Sequence, residues 1–250
     1  MTMPTRTQIA SHRGGAQVWP ENSPTAFRNT AIMPLEQVEF DVHPTRDGKL
    51  AVIHDPTLDR TTDATGPVAE RSWDDLQRLT LTGTDGERIP SLADVIGFFR
   101  ATTITYRLEI KPDHKRRPYE GLPAKVATAL TAEGILGRTV VTSFQIGTLV
   151  ELRRHATPSG LIWLVLPQLL TDIGLDRVIA VARHHAIPAL SIHQTMLDPG
   201  VIATVRGAGL GIGGYAAHED DVIRRMFDLG VDVFTTDRPD RAVAIRDALG

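Results

Sequence analysis

Two short stretches of this sequence place carboxylates where chemistry could use them. In Glu39-Phe40-Asp41, near the end of the apolar run Gln37–Val42, the two acids are separated by one residue. If the run is a strand, Glu39 and Asp41 share a face, about 6.6 Å apart along the backbone. Two such carboxylates repel unless something positive stands between them. A hard cation with oxygen ligands at roughly 2.0–2.6 Å is the usual answer; a solvated strand end is the alternative. Glu109-Ile110-Lys111-Pro112 repeats the pattern at the end of Thr105–Ile110, with Glu109 and Lys111 on one face and Ile110 on the other. Beside two further carboxylates, that pair reads as a third metal ligand and a phosphate contact. Standing alone, it would be an ion pair on a rim. Lysine occurs only at Lys49, Lys111, Lys115 and Lys125, which adds weight to one at a strand end.

Two histidines suit the same mouth. His12 closes an apolar run in Ser11-His12-Arg13-Gly14-Gly15, and His54 follows Leu50–Ile53 in His54-Asp55-Pro56. Imidazole titrates near neutral pH, so the two could serve as general acid and base. Arg13 offers a planar fork for phosphate oxygens, and Gly14-Gly15 lets the backbone approach closely. His43, two residues beyond Asp41, reads as structural or supporting.

Such groups need elements that hold them at one end of a fold. The chain has 250 residues, 42% hydrophobic and 23% charged, which suits one globular domain. Candidate strands are Gln8–His12, Gln37–Val42, Thr105–Ile110, Arg138–Ser143, Gly160–Leu166, Ala189–Ile192, Leu210–Gly213 and Asp232–Thr235. Several are apolar on both faces, as buried parallel strands are. Helical patterns alternate with them at Ser23–Ile32, Ser91–Arg100, Pro123–Glu133, Gln145–His155, Thr171–His185, Pro199–Arg206, His218–Leu229 and Pro239–Leu249. Asp198-Pro199, and Asp237 two residues before Pro239, read as helix starts. Strand-then-helix units repeated through a chain of this length predict an α/β fold, a closed (β/α)8 TIM barrel. A doubly wound open sheet is the runner-up, but no Gly-x-Gly-x-x-Gly follows the first strand. One stretch breaks the rhythm. Between Val42 and Ser91 the sequence is too long for an ordinary βα loop, and about 55–90 reads as a small subdomain inserted after the second strand.

With these residues in hand, the sequence resembles the glycerophosphodiester phosphodiesterases. The resemblance is carried by His12-Arg13-Gly14, Pro20-Glu21-Asn22-Ser23, Glu39-Phe40-Asp41-Val42, Thr45-x-Asp47-Gly48, His54-Asp55 and Leu58-x-Arg60-Thr61-Thr62. It continues through Pro90-Ser91-Leu92, Glu109-Ile110-Lys111, Ser143-Phe144, Gly230-Val231-Asp232 and Thr236-Asp237-Arg238-Pro239. The ordered set spans nearly the whole chain. It implies a TIM barrel with a small insertion, in which Glu39, Asp41 and Glu109 hold a divalent cation, Ca2+ or Mg2+. It further implies that His12 and His54 are the catalytic acid/base pair and that Arg13 and Lys111 contact phosphate. In that family a neighbouring glycerol hydroxyl attacks phosphorus, expelling the alcohol and leaving a cyclic phosphate that water opens to sn-glycerol 3-phosphate. Where the family often carries a Trp, this chain has Gly213-Gly214-Tyr215-Ala216-Ala217-His218, so Tyr215 takes the aromatic substrate-binding place. Trp163 is a second candidate wall, with barrel filling as the alternative.

Composition narrows the partners. A net charge of −3 provides no basic field for nucleic acid, and the absence of cysteine removes disulfides, thiolate metal sites and cysteine nucleophiles. No apolar run reaches the ~18 residues of a spanning helix, and Met1–Ala10 has no apolar signal core. Composition agrees with what the resemblance implies, a cytoplasmic hydrolase of lipid and glycerol metabolism acting on a small glycerophosphodiester with no stable membrane insertion. Two readings compete with it. One is a lysophospholipid or sphingolipid phosphodiesterase on the same barrel, and the other a non-catalytic phosphate-binding module.

Overall fold

The alternating apolar runs become strands whose pairing closes on itself. The computed structural model describes residues 6–249; the first five residues of the N-terminal stretch considered above lie outside it. The strands are β1 (Gln8–Ser11), β2 (Gln37–Pro44), β3 (Leu50–Val52), β4 (Thr105–Ile110), β5 (Thr139–Ser143), β6 (Gly160–Val165), β7 (Ala189–His193), β8 (Gly211–Tyr215) and β9 (Val233–Thr236). Each pairs parallel with its neighbour in the order β1-β9-β8-β7-β6-β5-β4-β2, and β1 pairs with β2 to close the barrel. Only β3 stands outside this ring, antiparallel to β2. The result is an eight-stranded parallel barrel with helices between the strands, the (β/α)8 fold expected from the sequence.

The helices are α1 (Pro24–Thr30), α2 (Trp73–Leu76), α3 (Leu92–Phe99), α4 (Leu122–Ala132), α5 (Ile146–Leu152), α6 (Pro167–Ile173), α7 (Leu175–His184), α8 (Pro199–Gly207), α9 (Asp220–Leu229) and α10 (Pro239–Ala248). Their starts are written in side chains. The Ser23 hydroxyl caps α1 at the Ala26 amide, Ser91 and Asp94 cap α3 reciprocally, and Asp198 caps α8 ahead of Pro199. The expected single helix Thr171–His185 is instead the pair α6 and α7. Gly174, at φ 81° and ψ 158°, breaks it in a conformation that only glycine adopts freely. Asp237 does not cap α10. Arg238 is the N-cap residue, without a side-chain cap, and the Asp237 carboxylate is engaged elsewhere.

Two apolar shells hold the barrel. Outward-facing residues such as Phe40, Leu108, Val141, Leu190 and Phe234 pack beneath the helices in the main core. Inside the barrel a thin layer of Ala10, Val140, Ile162, Ala189 and Val233 fills the axis. Because strand side chains alternate, this inward face continues upward into the polar residues at the strand ends. The segment between β2 and α3 packs around its own cluster of Ala51, Ile53, Leu58, Val68, Leu76, Leu81 and Ile89. That small core anchors the turn carrying His54. No helix among the described residues is long and apolar enough to cross a membrane.

Candidate active site

Glu39 and Asp41 leave β2 on its inner face, and Glu109 leaves β4 directly opposite Asp41 in the parallel register. All three are buried, and one oxygen from each lies within 4.8 Å of the other two. That span suits a single cation with oxygen ligands at roughly 2.3–2.6 Å on all sides. The protein already turns the carboxylates to suit. Asp41 Oδ2 accepts from Asn22 Nδ2 at 3.0 Å and lies 3.5 Å from Arg13 Nε, while Glu39 Oε2 accepts from the Arg13 amide at 3.0 Å. Asp41 Oδ1 and Glu109 Oε1 are buried without a well-directed hydrogen bond among the described residues. Lys111 Nζ stands 3.4 Å and 2.8 Å from these two oxygens, a charge contact whose direction is poor for hydrogen bonding. Hard oxygens that share one ammonium and converge on a common centre fit a divalent cation.

The electrostatics agree. Burial would raise Asp41, yet Lys111, His54 and Arg13 hold its carboxyl well below the usual range. Burial and the adjacent Asp41 charge push Glu39 up to about 7. One carboxylate thus carries the repulsion of three, as expected of an acidic cluster awaiting positive charge.

A tight turn after β1 delivers Arg13. Arg13 and Asn22 both take left-handed backbone, at φ 51° and 53°. Gly14 between them has φ +76°, and a Cβ there would fall 2.8 Å from Ala26 Cβ. Only glycine allows the turn to sit this close to α1.

The two histidines are backed differently. His12 Nδ1 lies 2.5 Å from Asp237 Oδ1, and its Nε2 points toward the carboxylates, 3.8 Å from Glu39. Burial disfavours its charged form, but Glu39 and the Asp237 hydrogen bond outweigh that and raise its pKa. His54 Nδ1 lies 2.6 Å from Asp55 Oδ1, leaving its Nε2 to the cavity. Here burial prevails, and its pKa falls. His12 faces Glu39 and Asp237, whereas Lys111 and Arg13 beside His54 add to the effect of burial and offset much of the pull of Asp41. Arg60 grips Asp55 through Nε and NH2, at 2.7 and 3.1 Å, and holds Glu21 through NH1 and NH2 at 2.6 and 2.7 Å. Glu21 in turn accepts from Arg13 NH1 at 3.1 Å. The charge of Asp55 is therefore largely spent on Arg60, whereas the ion-pair contacts of Asp237 among the described residues are His12 and His218. His43 lies outside this machinery. Burial pushes it down to about 4, its Nε2 donates to the His54 carbonyl, and its Nδ1 accepts from the Tyr119 hydroxyl, each at 3.0 Å.

Above the carboxylates opens a cavity of about 220 Å³, charged on one side and lined by Phe144, Leu164, Tyr215 and Ala216 on the other. It gathers His12, Arg13, Glu39, His54, Glu109, Lys111 and Tyr215; Asp41 lies just beneath. The Tyr215 hydroxyl donates to the Val165 carbonyl at 3.0 Å, so the phenol is already engaged where the residue lines the cavity. Trp163 is neither wall nor barrel filling. It lies on the outer strand face within the main core, its indole N–H donating to the Phe144 carbonyl at 3.2 Å. The sequence reading missed Asp237, His218, Asn22 and Arg107. Asp237 and Arg107 carried a usable signal, since each continues the inward alternation of its strand (Val233-x-Thr235-x-Asp237 and Arg107-x-Glu109). His218, taken for the first residue of a helix, precedes α9; it stacks on His12 at 6.2 Å, and its Nδ1 accepts from the Asp237 amide.

Residues 12–241 match the family model described as the glycerophosphoryl diester phosphodiesterase family. The chain belongs to that family. The match begins at His12 and so takes in the whole mouth just described. A glycerophosphodiester phosphodiesterase of Bacillus altitudinis is 30% identical over 97% of this chain and 99% of its own length. Among solved structures, an Agrobacterium tumefaciens protein provisionally assigned as a glycerophosphoryl diester phosphodiesterase is 40% identical, with a TM-score of 0.95 over 98% of each chain. The fold is also that of an Oleispira antarctica phosphodiesterase solved in complex with its product sn-glycerol-3-phosphate, which is 22% identical, with a TM-score of 0.81 over 97% of each chain. The chain is accordingly a phosphoric diester hydrolase, and glycerophosphodiesters are the substrate class of its family.

Proposed function

We propose that the protein hydrolyses glycerophosphodiesters to sn-glycerol 3-phosphate and an alcohol, using a divalent cation, Ca2+ or Mg2+, held by Glu39, Asp41 and Glu109. The observation that carries this reading is the buried triad itself, with carboxylate oxygens converging between two histidines and beneath two cations. The bound cation supplies charge to stabilise the phosphoryl oxygens as negative charge builds on them. Arg13 and Lys111 bind the same oxygens from the mouth. His54, held neutral with its Nδ1–H on Asp55, accepts the proton of the glycerol hydroxyl that attacks phosphorus. His12, whose imidazolium is supported by Asp237, gives a proton to the leaving alkoxide. The hydroxyl oxygen bonds to phosphorus, the ester oxygen departs as the alcohol, and the roles reverse when water opens the cyclic phosphate. The apolar wall of Phe144, Leu164 and Tyr215 receives carbon rather than charge. In this reading the substrate is water-borne and the enzyme cytoplasmic.

Replacing Glu109 by Ala tests the assignment. Product release from glycerophosphocholine should vanish while the far-UV spectrum stays that of the parent. Near-parental turnover would refute the ligand role.

A further inference from the structure

The cations around the carboxylates divide by depth. Arg13 and Lys111 stand at the mouth, within 3.5 and 3.4 Å of Asp41. Both are assigned above to phosphate, so bound substrate draws them away from neutralising the triad. Arg107 differs. It stands in register with Glu39 across the β2–β4 ladder and precedes Glu109 by two residues on the same strand. It is 1% exposed and contributes to the cavity floor beneath the mouth. Its NH1 reaches Gln37 Oε1 at a long 3.4 Å, and its NH2 has no hydrogen-bond partner among the described residues. A guanidinium stays charged in proteins, and one buried with so few partners is costly. The charges that offset this cost are Glu39 and Glu109. Most inward positions of such barrels carry branched apolar residues, so a poorly bonded arginine here points to an electrostatic role.

We propose that Arg107 is a positioning residue acting through the triad: its fixed charge holds the metal-free carboxylates together, moderates their grip on the cation, and frees Arg13 and Lys111 for the phosphate. The proposal rests on the metal-site reading above. Two consequences of opposite sign follow from Coulomb's law. Removing the charge strengthens cation binding, because a like charge leaves the vicinity. The same removal weakens anion binding, because the loaded site is less positive and the mouth cations are drawn back to the carboxylates. A merely structural residue, once replaced, would weaken both.

The test is calorimetric titration of the EDTA-stripped protein with Ca2+ and with Mg2+, then of the loaded protein with inorganic phosphate. Wild type, Arg107→Gln and Arg107→Lys are compared, with thermal melts in EDTA and in saturating cation. Arg107→Gln should bind cation about tenfold or more tighter and phosphate about tenfold or more weaker. It should melt well below wild type in EDTA and recover with cation. Folding only when cation is present would be the same result at its extreme. Arg107→Lys should stay within about threefold of wild type for both ligands, because the charge is kept. The proposal is overturned if Arg107→Gln leaves both affinities unchanged or weakens both. It is also overturned if Arg107→Lys behaves as Arg107→Gln does, or if the Gln variant fails to fold at any cation concentration while the Lys variant folds. Wild type that binds no divalent cation would overturn the metal reading and this proposal with it, a result distinct from all the others.

Discussion

Asp237→Asn is the substitution that most sharply separates the two histidines. The carboxylate lies 2.5 Å from His12 Nδ1 and has no Arg or Lys ion pair among the described residues, so its charge is directed largely to that imidazole. A hydrogen bond to a charged group is worth about 1.5–3 kcal/mol, or roughly a 10- to 150-fold change in rate if it is made with the imidazolium of the reacting enzyme. An amide that turns its NH2 toward Nδ1 would oppose the imidazolium further, so the loss in kcat should fall between about tenfold and a thousandfold. The sign of the pH effect also follows. Asp237 raises the pKa of His12, and its loss lowers that pKa, so the protonated acid disappears at lower pH. The alkaline limb of the kcat profile should therefore move down. The backbone amide of residue 237 still donates to His218 Nδ1, which preserves the local turn. The assay is product release from glycerophosphocholine across pH in saturating cation, with cation affinity measured in parallel and expected to be unchanged. A kcat within threefold of wild type, with the alkaline limb unmoved, would refute the assignment of His12 as the Asp237-backed acid.

Further outcomes follow from the same geometry. Arg60→Lys keeps a charge but loses the fork that joins Asp55 to Glu21, so kcat/KM should fall about tenfold with little change in melting temperature, since Arg60 is half exposed. Glu21→Gln should cost a similar factor, and the double variant no more than the worse single one; simple additivity would refute a shared network. Tyr215→Phe should leave KM within about threefold because the hydroxyl is spent on the Val165 carbonyl, whereas Tyr215→Ala should raise KM for bulky alcohols. A large KM effect from Tyr215→Phe would mean that the phenol touches substrate.

Much of the site was legible because strand alternation acts locally. Spacing put Glu39 with Asp41, and Glu109 with Lys111, on single strand faces, the resemblance drew the two pairs to one mouth, and the barrel followed from the regular exchange of apolar runs and helical patterns. The same alternation would have found Arg107 and Asp237. Asp237 was masked by its place before Pro239, where an aspartate ordinarily reads as a helix cap. Asn22 was noted only as part of Pro20-Glu21-Asn22-Ser23 and His218 only as a helix start, and neither had a local pattern that gave it a role. Their roles depend on loops brought together only when β1 pairs with β2 and β8 with β9, 19 residues separating Asn22 from Asp41 and 19 separating His218 from Asp237. The break at Gly174 was hidden by apolar periodicity continuing across it, and the outward position of Trp163 by a strand that is apolar on both faces, Leu161-Ile162-Trp163-Leu164-Val165.

The most direct test of the central claim is release of sn-glycerol 3-phosphate from glycerophosphocholine and glycerophosphoethanolamine by protein stripped with EDTA, before and after Ca2+ or Mg2+ is returned. Three buried carboxylates facing one another imply negligible release from the stripped protein and restoration by one of the two ions. Full release in excess EDTA would contradict the account, because Glu39, Asp41 and Glu109 would then be gathered at the barrel mouth for some purpose other than holding the cation that the reaction needs.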